Sequence, residues 1–182
     1  MSKIRISDST KAEYFKEFLL KLGKDTIRKF NHFGKISKKN VEGIVQNELN
    51  RKDKLKFFVH IENELIAYGF LTLFEKPTKK HSCILGIVIG DKFQGSGFGK
   101  QICDRMIQTG WKAGLEKIWL TVNEENENAI KLYKSLGFSV EGIFLRDEYE
   151  NKEYKNVVSM AIFKKKERQI NKRFKIWKRI EE

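Results

Sequence analysis

The run from Ser82 to Ile89 is the most apolar in the chain, and it leads through a glycine-rich loop straight into an amphipathic helix. Eight residues of this kind suit a buried central strand and fall far short of the roughly 20 that a membrane-spanning helix needs. The loop continues as Gly90-Asp91-Lys92-Phe93-Gln94-Gly95-Ser96-Gly97-Phe98-Gly99-Lys100. Ile102, Cys103, Met106, Ile107 and Trp111 then recur on one side of a helix that Gly114 ends. Glycines at 95, 97 and 99 leave backbone N–H groups open to a ligand, and the helix N-terminus adds partial positive charge at the same point. With Lys100 at the rim, the loop has the chemistry of a pyrophosphate cradle; a glycine turn without a ligand is the competing reading. It is not a P-loop, because Gln94 stands where a glycine is needed and Gln101, not Ser or Thr, follows Lys100. The G-x-G-x-G spacing in mid-chain also departs from the dinucleotide fingerprint.

The remaining pattern predicts one α/β unit. Ile4 and Ile6 alternate with polar neighbours as a short first strand, and Tyr14, Phe15, Phe18, Leu19 and Leu22 follow at helical spacing until Gly23. A second helix is predicted over 38–50, with Val41, Ile44, Val45 and Leu49 on its apolar face. Residues 56–61 and 65–74 are β-branched and aromatic around the polar turn 62–64, which predicts a hairpin. A strand over 117–122, a short helix over 127–136 and strands near 138–145 and 155–163 complete the order β-α-α-β-β-β-α-β-α-β-β. Hairpins with interleaved helices imply a mixed sheet.

Composition narrows the class further. A hydrophobic fraction of 40% with 12% aromatics is too rich for a disordered chain, and 182 residues suit one domain. No secretory h-region follows the N-terminus, so an intracellular, cytoplasmic protein is expected. The two cysteines, Cys83 and Cys103, fall in apolar patterns and read as core thiols, and His32, His60 and His81 have no ligand spacing, so no metal is expected. The net charge of +13 draws the protein toward anionic partners. Nearly half of that excess lies in 164–182, with nine basic residues against three acidic, so the chain divides into a body at 1–163 and a basic tail at 164–182. In the tail, Ile170, Phe174, Trp177 and Ile180 form an amphipathic helical stripe. The stripe suits packing on the body or on a second subunit to make a homodimer, or contact with RNA, a ribosome or another anionic surface such as acidic lipid.

Two motifs then resemble the GNAT acetyltransferases. Gln94-x-x-Gly97-x-Gly99 after an apolar strand is similar to their Q/R-x-x-G-x-G/A signature, and Asn126-x-x-Ala129-x-x-Leu132-Tyr133-x-x-x-Gly137-Phe138 is similar to their downstream motif. The close resemblance covers about 82–142. It implies a mixed, largely antiparallel sheet, flanked by helices, whose fourth and fifth strands splay apart to admit acetyl-CoA. It also implies that Gln94, Gly95, Ser96, Gly97, Phe98, Gly99 and Lys100 hold the pyrophosphate, and that the backbone of Ile87, Val88 and Ile89 pairs with the pantetheine arm. Tyr133 matches the tyrosine that protonates the leaving sulfur, and Asn126 is both a helix N-cap and a cofactor contact.

The implied activity is transfer of an acetyl group to a primary amine by direct attack in a ternary complex. Leu85 stands where many members carry a glutamate base, which leaves Glu124, Glu125, Glu148 and Glu153 as alternatives. The missing glutamate also motivates a rival reading, a non-catalytic acyl-CoA-binding domain. A basic nucleic-acid-binding protein is the third reading, with no recognition motif to support it. An α-amine, with a pKa near 7.7 to 8.0, is an easier acceptor at neutral pH than a lysine near 10.4, and members that modify protein α-amines share the Glu141-Gly142 segment.

Overall fold

The alternation of strand and helix patterns is realised as a seven-stranded sheet with helices on both faces. The computed structural model describes residues 4–30, 32–150 and 152–165. In chain order the elements are β1 (Arg5–Ser7), α1 (Ala12–Lys21), α2 (Lys24–Phe30), α3 (Val41–Asn50), β2 (Lys54–Ile61), β3 (Glu64–Leu73) and β4 (Ser82–Ile89). They continue as α4 (Phe98–Lys112), β5 (Lys117–Asn123), α5 (Glu127–Ser135), β6 (Ser139–Glu150) and β7 (Glu153–Phe163). The strand order is β1-β2-β3-β4-β5-β7-β6, which makes β4 the central strand as its apolar run predicts.

Every neighbouring pair is antiparallel except β4 and β5. Those two are in register only at Ser82↔Lys117, Cys83↔Ile118 and Ile84↔Trp119. Both strands then run on in the same direction without pairing. The sheet is therefore open from Leu85 on one side and from Leu120 on the other, which is the splay expected between the fourth and fifth strands.

The apolar stripes of the helices divide the core in two. Ile102 and Met106 of α4 pack with Leu71, Leu85, Ile118 and Met160 on one face of the sheet. Phe15 and Leu19 of α1 and Val41 of α3 pack with Phe58 and Tyr68 on the other. Cys83 and Cys103 are both fully buried free thiols, and burial pushes each up to about 12.

Two local features depart from the sequence pattern. The helix predicted over 38–50 begins at Val41, because the Asn40 side chain instead accepts hydrogen bonds from the amide and hydroxyl of Ser37 and holds a turn. The additional helix α2 has only Ile27 and Phe30 as apolar residues, both packed on the core but neither fully buried, so it has too little periodicity to be legible. It is held by ion pairs from Asp25 to Arg28 and Lys29, and from outside by Asp91, whose carboxylate accepts from the Gly23 amide and the Thr26 hydroxyl. The helical stripe expected from Ile170 to Ile180 lies outside the described residues. Among the described residues, no helix is long and apolar enough to cross a membrane.

Candidate active site

Where β4 and β5 part, a cleft of about 990 Å³ opens between them, with walls from α2, α4 and α5. Its floor is the unpaired stretch of β4. Ile87, Val88 and Ile89 are in register with Gly69, Tyr68 and Ala67 of β3 on one edge, and among the described residues no strand pairs with them on the edge that faces β5. Backbone groups left open on that edge can pair with an extended amide-bearing ligand.

The glycine loop closes one end. Gly95 and Gly97 have φ of +74° and +80°, a left-handed conformation that side chains disfavour, and this turns the chain into the start of α4. Gly99 serves packing instead: a Cβ there would lie 3.1 Å from Leu132 of α5, so its absence brings the two helices together beside the loop. The first-turn amides of α4 have no intrahelical acceptors, and with the helix dipole they leave partial positive charge at this end of the cleft.

Of the residues expected at a cofactor site, Ile87, Val88, Ile89, Gln94, Gly95, Gly97, Gly99, Lys100, Asn126 and Tyr133 all line the cleft. Ser96 and Phe98 belong to the same loop but do not line it. The Gln94 side chain donates to the Ile89 carbonyl and to the Thr26 hydroxyl, each at 3.0 Å, so its amide ties the loop to β4 and α2. Asn126 caps α5, with its side-chain oxygen accepting from the Ala129 amide at 3.4 Å.

Tyr133 sits near the end of α5, with its ring 5.6 Å from that of Phe138. It is buried at the cleft wall, and its hydroxyl has no hydrogen-bond partner among the described residues. Burial, with a smaller contribution from Cys103, pushes the phenol well above its ordinary pKa. It therefore stays protonated at any physiological pH.

Of the four carboxylates weighed as bases, Glu148 alone lines the cleft, where Asn123 donates to it at 3.3 Å. Glu124 accepts from Asn156, and Glu125 and Glu153 both pair with Lys155. Leu85 is buried at the floor.

The opposite wall holds residues that sequence reasoning missed. His32, Lys54 and Phe70 line it, and Glu48 is buried behind them at 5% exposure. The Glu48 carboxylate accepts from Lys54 and from the Tyr68 hydroxyl at 2.5 Å each, with His32 3.6 Å away, and the Lys54 ammonium lies 4.0 Å above the Phe70 ring. Burial raises the Glu48 pKa, but hydrogen bonds from His32, Lys54 and Tyr68 outweigh it and hold the carboxyl at about 2. The available signal was a glutamate inside the apolar stripe of α3, next to Val45 and Leu49 on the helical face.

The sequence model of the Acetyltransferase (GNAT) family matches residues 24–138. A spermidine N(1)-acetyltransferase of Escherichia coli is 29% identical over 121 residues, covering 66% of this chain and 64% of that protein. The chain thus spans just under two thirds of that relative's length. A [ribosomal protein bS18]-alanine N-acetyltransferase of Haemophilus ducreyi is 27% identical over 106 residues, covering 56% and 68%. Among solved structures, a spermidine N-acetyltransferase from Vibrio cholerae, crystallised with CoA and spermine, superposes with a TM-score of 0.76 at 22% identity, covering 90% of this chain and 96% of that one.

Proposed function

The chain belongs to the GNAT acetyltransferase family, and on that premise we propose that it is an acetyl-CoA-dependent N-acetyltransferase in which a primary amine attacks directly in a ternary complex. One observation carries this reading: the glycine loop, the open edge of β4 and the buried Tyr133 converge on a single cleft. That convergence fits a ligand with a pyrophosphate, an amide-bearing arm and a reactive sulfur.

When bound, acetyl-CoA supplies a thioester carbonyl as electrophile. The amides of the loop and Lys100 bind the pyrophosphate, and the open edge of Ile87 to Ile89 orients the pantetheine arm. The Tyr133 hydroxyl holds a proton for the departing sulfur. Glu148 takes the proton that the amine loses, directly or through a water.

Among acceptors, the reading favours a single α-amine over a polyamine. Four cations line the cleft, Lys29, Arg51, Lys54 and Lys100, with the carboxylates Asp25 and Glu148, and Glu48 and Asp53 pair with Lys54 and Arg51 from behind, so the site carries no excess of negative charge. A polycation needs that excess. The reading also puts the protein in the cytoplasm, where acetyl-CoA is at hand and thiols such as Cys83 and Cys103 stay reduced. For the basic tail at 164–182 we propose contact with RNA or another anionic surface, which charge-neutral substitutions of its lysines should weaken most at low salt.

Thermal melting with acetyl-CoA and thiol release against peptides, amino acids and polyamines test the function together. Saturation at 100 times the dissociation constant should add about 2.7 kcal/mol. Release with α-amine acceptors is expected. A melting shift with no release from any acceptor would favour the acyl-CoA-binding domain, and no shift would remove the cleft as a cofactor site.

A further inference from the structure

At the end of the sheet away from the cleft, three segments distant in sequence come together. Residues 74–81, which join β3 to β4, and residues 111–117, which join α4 to β5, hold five lysines against two acidic side chains, and Lys164 and Lys165 follow β7. Hydrogen bonds make them neighbours. The Glu116 and Lys117 amides donate to the His81 carbonyl at 2.7 and 3.1 Å, the Lys164 amide donates to the Glu116 carbonyl at 2.9 Å, and the Lys164 ammonium donates to the Trp111 carbonyl at 3.0 Å. Lys76, Lys79, Lys80, Lys112 and Lys165 are exposed. Among the described residues only Lys117 of the seven meets a carboxylate, that of Glu141 at 2.7 Å.

Aromatic rings lie among these charges. Side chains alternate along β5, so with Ile118 and Leu120 in the core under α4, Lys117 and Trp119 face the other side of the sheet. There the Trp119 ring lies parallel to that of Phe74, within 6° and with centroids 6.5 Å apart. The Lys79 ammonium is 5.4 Å from the centre of the Phe74 ring, and the Lys117 ammonium is 5.4 Å from that of Phe163, which is 55% exposed. Neither Phe74 nor Trp119 belongs to the core that α1 and α3 cover, and both remain partly exposed.

We propose that this surface binds single-stranded nucleic acid, with the lysines on phosphates and the rings on unpaired bases. Charge decides against the other occupants. A second copy would bring the same positive patch, and residues 166–182 of the chain itself are basic, so both would be repelled. An acidic bilayer would need apolar side chains to insert, and only Phe163 here is more than half exposed. The strand β4 rises roughly 3.3 Å per residue, which sets the patch about 20 Å from the glycine loop. A strand bound there leaves the cleft open, so its binding depends neither on acetyl transfer nor on the tail.

Anisotropy of a labelled oligouridine with the full-length protein tests the inference, beside an oligothymidine, a duplex RNA and vesicles of phosphatidylserine in phosphatidylcholine. Lys76→Gln, Lys79→Gln and Lys80→Gln together should weaken oligouridine about 10-fold or more at low salt and reduce the salt slope by about 2. A control of equal charge loss in exposed lysines elsewhere, Lys35→Gln with Lys38→Gln and Lys39→Gln, should cost about 2-fold at most. Phe163→Ala should cost about 5-fold or more and leave the slope unchanged. Tighter binding of oligouridine than of oligothymidine would assign the surface to RNA, and equal binding to either single strand. Equal losses in the two triple variants would overturn the proposal, because net charge alone would then explain binding. So would oligouridine binding that neither triple variant weakens, which would place it on the tail, or no binding at any salt. Vesicle binding that the patch variant weakens while oligouridine is unaffected would give the surface to lipid. Duplex bound as tightly as single strand, with Phe163→Ala silent, would overturn the stacking on which the choice of ligand rests.

Discussion

Tyr133 and Glu148 line the cleft from different elements, one on α5 and the other on β6, and on the proposed function the pair fits the two proton transfers of amine acetylation. If the Tyr133 phenol protonates the leaving sulfur, Tyr133→Phe should lower kcat about 100-fold and leave the melting shift with acetyl-CoA intact. Steady-state kinetics beside melting curves check this; an unchanged kcat would reduce the residue to packing against Phe138. Glu148→Gln should act differently with pH. Its deficit in kcat/KM, about 10-fold or more near neutral pH, should shrink as pH approaches the pKa of the acceptor amine, because a neutral amine needs no base. A deficit constant with pH would assign Glu148 to binding. The glycine loop, Asn126 and Tyr133 were legible because each belongs to a contiguous motif. Glu148 was one of four equal candidates until the arch of β6 set it apart, since which carboxylate faces the cleft depends on strands that are distant in sequence.

At the scale of elements, the turn from β4 into α4 closes the end of the cleft proposed for the cofactor. Gly97 has open space where a Cβ would project but a φ of +80°, so only conformation forbids substitution. Gly97→Ala should cost about 1 to 2 kcal/mol and, on the proposed function, weaken acetyl-CoA more than the acceptor, because the displaced amides would face only the cofactor. Melting with and without acetyl-CoA separates the two effects, and equal loss in both states would argue against an anion site in the loop. The strands β2, β3, β4, β5 and β7 and the helices α1, α4 and α5 could be read from periodicity, since each buries residues of its own, whereas β6 was legible from its apolar residues although it buries none of those described. The exception, α2, has no fully buried side chain: Ile27 and Phe30 pack partly buried against the core and Asp91 holds its start from across the chain, contacts that local pattern cannot display.

For the whole molecule, the fold class followed from the order of elements, whereas the buried polar cluster behind His32, Lys54 and Phe70 did not, because it joins α3, β2 and β3 only after they have packed. That cluster sets how the protein responds to acid. The Glu48 carboxyl ordinarily titrates near 4.5 and is held at about 2 in the folded state. Its stabilising contribution is therefore complete above pH 4.5 and is lost as pH falls toward 2. A shift of that size corresponds to about 3 kcal/mol, part of it offset by Lys54, whose charged form the same burial disfavours. Urea unfolding across this range should show stability falling with acid, and Glu48→Gln should flatten the fall while lowering stability at neutral pH by about 3 to 5 kcal/mol, because it leaves the Lys54 ammonium buried without its counterion. Tyr68→Phe keeps the ion pair and removes one donor to the carboxylate, so it should flatten the fall less and cost less at neutral pH. If all three proteins lost stability in parallel between pH 4.5 and 2, acid sensitivity would belong to other carboxylates, and the cluster would matter for packing alone.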